Sequence, residues 1–581
     1  VEMLVEYQLP LNSKRVDVIL AGTHPRGGDS FVVVELKQWS SARAYEGSDR
    51  LVEVDYVPHP RLHPGLQVEG YCDYLADFLG SLHGVGDRVR GVAYLHNATD
   101  QDVHDLFALA VNDRRRVFTG QRRGQFIQHL QAHLSPQSGA DVADRLLGSA
   151  VRPSRLLLQH AADELQRRHA FTLLEEQRVA YELVLHAVER ARVSDRKKVV
   201  IVSGGPGSGK SVIALSLLGE LYRHGRTALH ATGSQAFTQT MRRYAAAGSS
   251  RVKELFKYFN NFTKAERNGF DVLVCDEAHR IRETSTNRWT KRSDRTNRSQ
   301  LDELVAAARV PVFLLDEHQT VRPGELGSIE VISRHARSLG LDVECVSLHG
   351  QFRCGGSVDY ERWVLRLLGL ATGGPQVWTG DGRFDVRIAE SPQEMEDVLA
   401  FHQEHGLTAR MTAGYCWPWS NPRQDGSLVP DVQIDGWSRP WNVKSDRSVG
   451  GAPGSALWAT DPAGFGQVGC VYTAQGFEYE YSGVIIGPDL VVQDGRLVSR
   501  RDHSKDPAFR SRKTVDDGEA DGLIRNTYKV LLTRGMRGTV IYATDGDTRA
   551  FLYALVDQRV PPQTNWSERT TATPRPPGLG V

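Results

Sequence analysis

Apolar positions recur along this chain in short β-branched runs separated by longer stretches with helical spacing. Over residues 1 to about 135 the runs RVDVILAG, SFVVVELKQ and VRGVAYLH alternate with helical segments, as in an α/β domain. Residues 136–170 open on SPQSGA and continue as the polar, Arg-bearing amphipathic stretch RLLLQHAADELQRRHA, which reads as a helical connector. From 171 the order becomes strand then helix, repeatedly, through KKVVIVSG, TALHAT, DVLVCDEAH and VPVFLLDEH. Such alternation predicts a parallel sheet with helices on both faces over 171–340. A second set, VECVSL, ARMTAGY, YSGVIIGP and RGTVIYAT, predicts another such sheet over 341–560. It is interrupted near 416–470 by a Trp-, Pro- and Gly-rich insertion, and the tail 561–581 has the composition of a disordered segment.

Composition narrows the class without choosing a function. The 581 residues, 40% hydrophobic and 24% charged, fit a soluble α/β protein of three to four domains. Lys and Arg total 71 against 70 Asp and Glu, so any nucleic-acid surface must be a local patch rather than a global charge excess. The six cysteines are scattered with no CxxC pair, which argues against a zinc cluster or a disulfide framework and for a reducing, cytoplasmic setting. No run of about 18 apolar residues and no signal pattern is present, so neither a membrane span nor export is expected. The first residue is Val, which leaves room for further residues ahead of the first strand.

Phosphate chemistry enters with GGPGSGKS, residues 204–211, between an apolar strand and a helical run. In that context the loop Gly204, Gly205, Pro206, Gly207, Ser208 and Gly209 forms a phosphate cradle from its backbone N–H groups, Pro206 alone contributing none. Lys210 reaches the β and γ oxygens and Ser211 holds Mg²⁺. DVLVCDEAH ends an apolar strand in two carboxylates, Asp276 for the Mg²⁺ shell and Glu277 to polarise the attacking water. The bland alternatives are a glycine-rich turn and a solvated acidic pair, and their joint presence argues against both.

The ordered motifs resemble superfamily 1 helicases and translocases over about 170–545, with a finer resemblance to the Schlafen-type branch. FTLLEEQRVAYELVL carries Gln177, which the resemblance makes the reader of adenine. LLDEHQTVRP carries Asp316 and Gln319, the latter as sensor of the γ-phosphate. HGQFRCGGS supplies Arg353 and YKVLLTRGMRG supplies Thr533 and Arg534, the two arginines expected to reach the phosphates from the second domain. VYTAQGFEYEYSGVIIG gives Thr473, Gln475, Gly476 and Glu478, one residue shorter between Thr and Gln than the family motif. The resemblance implies two RecA-like domains with ATP and Mg²⁺ between them. Clearly separate insertion domains of processive unwinding enzymes are not found, which sets strand separation apart from ATP hydrolysis.

The N-terminal segment holds a second candidate. Asp17 lies in RVDVILAG, and Glu35 and Lys37 share one face of FVVVELKQW, since side chains two apart on a strand point the same way. Two carboxylates and a lysine on adjacent strands suit a hard cation and water activation for phosphodiester cleavage. An E-x-K pair alone is more often a solvated strand face. The D…E-x-K pattern resembles the PD-(D/E)XK nucleases. Glu6 stands where that family often has a helix-borne acid, and Gln67 and Tyr71 in HPGLQVEGYCDYL match the Q-x-x-x-Y spacing of its RecB-like branch, one helical turn apart. Mg²⁺, or Mn²⁺, is the implied ion.

Two basic stretches are candidate phosphate contacts, 280–298 and 112–124 (NDRRRVFTGQRRG). His279, His318 and His349 flank the ATPase motifs and read as coupling or packing residues. Trp417, Trp419, Trp437 and Trp441 read as packing of a small subdomain rather than base stacking. The expectation is a nuclease fused to a superfamily 1-type ATPase, acting on nucleic acid, DNA before RNA. The resemblance suits anti-phage defence or DNA repair, with a second copy or a defence-system protein as partner. The alternatives are an ATP-gated nuclease that never unwinds and a nucleic-acid-binding scaffold with an inactive first domain.

Overall fold

The computed structural model describes residues 1–581 except 11–13, 58, 83–85, 150–172, 195, 206, 245–249, 287–294, 297, 317–318, 349–353, 446, 456, 476, 510–511 and 557–581. Three five- or six-stranded sheets organise the described residues.

The first sheet runs β1 (Glu2–Gln8), β2 (Arg15–Thr23), β3 (Asp29–Lys37), β4 (Val89–Leu95) and β5 (Arg116–Thr119) in spatial order. The first two pairings are antiparallel and the last two parallel. β3 is central, and its Phe31–Val34 run is buried throughout, as a strand covered on both faces requires. Helix α1 (Pro64–Phe78) crosses from β3 to β4. Pro64 opens it and His63 caps it, Nδ1 accepting from Gly65 N at 3.0 Å while Nε2–H donates to Leu106 O at 2.9 Å. Helix α2 (Arg123–His133) follows β5.

The second sheet has the order β8-β7-β9-β10-β6-β11, all parallel. Its strands are β6 (Lys198–Gly204), β7 (Ala228–Thr232), β8 (Phe256–Tyr258), β9 (Phe270–Asp276), β10 (Ala308–Leu315) and β11 (Asp342–Leu348). Helix α3 (Glu175–Ser194) precedes it and α4 (Lys210–Arg223) leaves β6. The third sheet has the order β12-β16-β15-β13-β14, again parallel. Its strands are β12 (Asp385–Ile388), β13 (Ala409–Ala413), β14 (Val468–Cys470), β15 (Tyr479–Ile486) and β16 (Gly535–Ala543), and α5 (Asp517–Leu532) feeds β16. Two parallel sheets with covering helices are what RecA-like domains require.

Three expectations change. VECVSL, assigned by sequence to the second parallel set, pairs with β6 and closes the open edge of the first. Helix Ala140–Leu147 is not a connector. Val142, Ala143 and Leu146 sink into the N-terminal core and Arg145 pairs with Asp29. The rest of that segment, 150–172, and the tail lie outside the described residues. Glu6 sits on strand β1, not on a helix, exposed and at φ +52°.

The N-terminal sheet does not hang free of the ATPase sheet. Tyr45, Leu51, Leu62, Leu66 and Leu109 share one apolar core with α3 and α4. Around it Tyr45 donates to Glu344 (2.6 Å), Arg50 pairs with Glu182 (3.0 Å), and Lys198 bridges Glu344 and Glu46.

Candidate functional sites

Asp17, Glu35, Lys37, Gln67 and Tyr71 come together at the edge where α1 packs on β3. The β2–β3 register puts Asp17 opposite the end of β3, and its Oδ2 accepts from Leu36 N at 2.7 Å. Glu35 Oε1 accepts from Lys37 Nζ at 2.8 Å and from Gln67 Nε2 at 2.9 Å. The second N–H of the same Gln67 amide goes to the Tyr71 hydroxyl at 3.0 Å, one turn along α1. Tyr71 in turn donates to Glu175, the first residue of α3, which also pairs with Lys14. Glu35 Oε2 is buried without a hydrogen-bond partner. Burial pushes the Glu35 carboxyl up to about 7, against the pull of Lys37 and with the push of Asp17 and Glu175.

A buried carboxylate oxygen with no donor, beside a second carboxylate, fits a divalent cation, which would supply the missing positive charge. Among the described residues no cluster of three or more His, Cys, Asp or Glu side chains stands ready to hold a metal. Asp17 and Glu35 would therefore share the ion with water or substrate oxygens. Glu6 falls across from Asp17 between the pairs Val5–Val18 and Tyr7–Val16, but its carboxylate faces Arg15 at 3.9 Å.

The ATP motifs converge at the carboxyl ends of the second sheet, the usual place for ligands in such sheets. Gly207 and Gly209 adopt φ +76° and +86°, a conformation open to glycine. A Cβ on Gly209 would stand 2.1 Å from Gln177 Nε2. Lys210 Nζ donates to the carbonyls of Gly204 and Gly205, both at 2.8 Å, and lies 3.3 Å from Ser208 Oγ. Ser211 Oγ donates to Asp276 Oδ2 at 3.0 Å, so the hydroxyl and carboxylate suited to Mg²⁺ are already adjacent. Glu277, at φ +55°, lies 3.1 Å from His279 Nε2 without hydrogen-bond geometry. Burial alone would raise its carboxyl, but His279, Arg280 and Lys210 together hold it well below the usual range.

Gln319 Nε2 donates to Asp316 Oδ2 at 2.8 Å, and the buried Lys529 ammonium lies 3.4 Å from the same oxygen. From the third sheet, Arg534 Nη2 reaches Gln319 Oε1 at 3.4 Å and Gln475 Nε2 donates to Gln319 O at 2.9 Å. Gln475 Nε2 also lies 3.3 Å from His279 Nε2, so that histidine touches a residue of the third sheet. Thr533 closes α5 by donating to Lys529 O at 2.8 Å, and Glu478 is half-buried just ahead of β15. Gln177 Nε2 donates to Ser208 O at 2.9 Å. Pro206, Arg353, Gly476, His318 and His349 lie outside the described residues.

Lys529, Glu175 and Lys14 were not singled out by sequence. A lysine in the apolar run YKVLL, one turn before Thr533, was a signal for the first. The other two form contacts only after distant segments meet, with Lys14 reaching both Glu175 and, 162 residues away, Glu176. In the basic run 112–124, Arg114, Arg115 and Arg122 are committed to Asp73, Glu69 and Asp100. Arg116, whose Nη2 lies 3.7 Å from Asp113, also faces His129 together with Arg90 and His133, and each of these four has a buried nitrogen without a hydrogen-bond partner. Of the run 280–298, residues 287–294 and 297 lie outside the described residues, while Arg280 faces Glu277 and Arg298 pairs with Asp302. Trp437 and Trp441 are buried in the core of the third sheet, with Trp417 and Trp419 packed against it.

The family model described as "Schlafen group 3, DNA/RNA helicase domain" matches residues 197–545, the span that holds both parallel sheets. The chain belongs to this family. A Schlafen group 3 helicase domain is a P-loop ATPase, with ATP as its nucleotide and nucleic acid as its class of partner. The match begins after the first sheet and α3. An uncharacterised protein of Saccharomyces cerevisiae is 25% identical over 430 residues, covering 65% of this chain and 90% of that protein. Among solved structures, the Pif1 helicase from Candida albicans is 10% identical and covers 65% of this chain and 95% of that one, at a TM-score of 0.28. AMPPCP-bound DnaA from Aquifex aeolicus is 16% identical over 35% of this chain and 56% of that one, at 0.19. At scores this low neither bears on function. Among the described residues no helix is long and apolar enough to cross a membrane.

Proposed function

We propose that the protein is an ATP-dependent helicase or translocase on nucleic acid whose N-terminal domain cleaves phosphodiester bonds. The observation that carries the nuclease half is Glu35 Oε2, a buried carboxylate oxygen without a donor, flanked by Asp17 and Lys37. A Mg²⁺ or Mn²⁺ ion held by Asp17 and Glu35 would supply an activated water and neutralise the phosphate. Lys37 holds Glu35 Oε1 in place, and its ammonium is the residue positioned to stabilise charge on the scissile group. Gln67 fixes the other side of the same oxygen.

In the ATPase half, Mg²⁺ held by Ser211 and Asp276 would neutralise the ATP phosphates. Lys210 leaves the Gly204 and Gly205 carbonyls for the β and γ oxygens. Glu277, kept ionised by His279 and Arg280, orients the attacking water. Gln319 meets Arg534 and Gln475 from the third sheet, so hydrolysis is tied to the approach of the two sheets. Arg90 and Arg116, with His129 and His133 beside them, support a backbone contact with nucleic acid, DNA before RNA, since sequence-independent binding is built from such arginines. Nucleic-acid repair or antiviral defence is the setting that a fusion of this kind suits.

The experiment is cleavage of labelled single- and double-stranded DNA and RNA with Mg²⁺ or Mn²⁺, with and without ATP. Wild type is compared with Lys37→Ala and Lys210→Ala. Cutting by wild type that disappears in Lys37→Ala is the expected result. ATP hydrolysis without cutting of any substrate would turn the first domain into a docking module.

A further inference from the structure

Gln177, tied to the phosphate loop, and Glu175, tied to the N-terminal acidic site, are two residues apart at the start of α3. On the first side, Glu35 Oε1 is held by one N–H of the Gln67 amide at 2.9 Å. The other N–H donates to the Tyr71 oxygen at 3.0 Å. A phenol that accepts this bond has its own proton to place elsewhere, and it goes to the Glu175 carboxylate. Each bond thereby sets the direction of the next. Remove the Glu175 acceptor and Tyr71 no longer has a reason to present its lone pair to Gln67, so Glu35 loses one of the two donors that pin Oε1 and leave Oε2 free.

On the second side, Gln177 is clamped at both ends. Its Nε2 donates to Ser208 O in the phosphate loop at 2.9 Å, and its Oε1 accepts from Leu174 N at 3.2 Å. If the amide turns to an adenine ring, it must give up these bonds, and the N–H of Leu174, the neighbour of Glu175, loses its acceptor, while the Leu174 carbonyl keeps the bond from Gln177 N at 2.9 Å and carries any turn of α3 to Glu175. Glu175 is poised to move: its φ is +39°, a strained value for a residue with a side chain, which persists only while its surroundings, Tyr71 and Lys14 among them, hold it.

Resting on the nuclease reading above, we propose that Glu175 is a positioning residue through which bound nucleotide restrains phosphodiester cleavage. Nucleotide-free protein has the relay Glu175–Tyr71–Gln67–Glu35 assembled and cuts; engagement of Gln177 by the base withdraws Glu175 and slackens Glu35. The chain would thus move along nucleic acid while ATP is bound and cut it when the nucleotide is gone.

The test is the cleavage rate of the full chain with Mn²⁺, with and without a saturating non-hydrolysable ATP analogue, which separates restraint by binding from movement driven by hydrolysis. In wild type the analogue should lower the rate at least about fivefold, the lower end of ordinary coupling between sites. Tyr71→Phe and Glu175→Ala should bring the ratio of the two rates to within about twofold, whatever their absolute rates. Glu175→Gln, which retains an acceptor for the Tyr71 hydroxyl, should preserve the wild-type ratio. ATP hydrolysis by the same preparations shows that each variant is folded. A wild type that cuts at the same rate with and without the analogue, or faster with it, overturns the inference and leaves the nuclease reading standing. So does a wild-type ratio retained in both Tyr71→Phe and Glu175→Ala. A wild type that cuts nothing removes the nuclease reading and the inference with it.

Discussion

Asp316 at the ATP site and Glu35 at the N-terminal site are both buried, at 3% and 5% exposure, and they hold their protons differently. For both, burial is the largest influence and favours the neutral acid. At Asp316 the Lys529 ammonium, with Lys210 and the Gln319 amide, outweighs it and keeps the carboxyl well below its usual range. At Glu35 burial prevails over the single lysine, and the carboxyl rises to about 7. One site carries its counter-charge within the chain; the other is short of one. Under the proposed function, that shortage is what a metal ion at Glu35 would make good.

The largest expected effects break each site at its own lysine. Lys210→Ala should lower ATP hydrolysis about 100- to 1,000-fold, measured as phosphate release. Lys37→Ala should lower phosphodiester cleavage about 100-fold while phosphate release persists. The contrast itself is sharpened by stability. Lys529→Met strands a buried anion and should cost about 3 kcal/mol in urea unfolding at pH 7. Lys37→Met should cost less than about 1 kcal/mol, because Glu35 takes a proton at little expense near neutrality.

The smallest effect concerns the cationic cluster. Burial, with His133, Arg116 and Arg90 and against Asp113, holds His129 down at about 4, so it is neutral in the free protein at pH 7. A bound phosphate backbone would raise that value, and binding then takes up a proton as pH falls from about 6.5 toward 4. Affinity for single-stranded DNA should strengthen by about two- to threefold between pH 7 and 5.5, a slope that His129→Gln reduces.

Local periodicity made much of this legible. The β-branched runs appear as strands, Gln67 and Tyr71 meet because four residues make one helical turn, and Glu35 meets Lys37 because two residues make one pleat. Partner choice between distant segments was not legible. Nothing in VECVSL records that β6 has an open edge to fill, and nothing in ADVADRLL records that this helix packs against β2. Glu6 reads as helical from its family position, yet β1 pairs with β2 on either side of it. Glu175 is one acid in a Glu-Glu pair until folding brings Tyr71 to it across 104 residues.

The claim that Glu35 is short of a counter-charge is tested most directly by titrating Mn²⁺ into nucleotide-free protein by calorimetry at pH 7.5, with Asp17→Asn and Glu35→Gln alongside. The account predicts a site in wild type that is lost in both variants while Asp276→Asn retains it. Wild type that binds no Mn²⁺, or binds it equally well after Glu35→Gln, would contradict it.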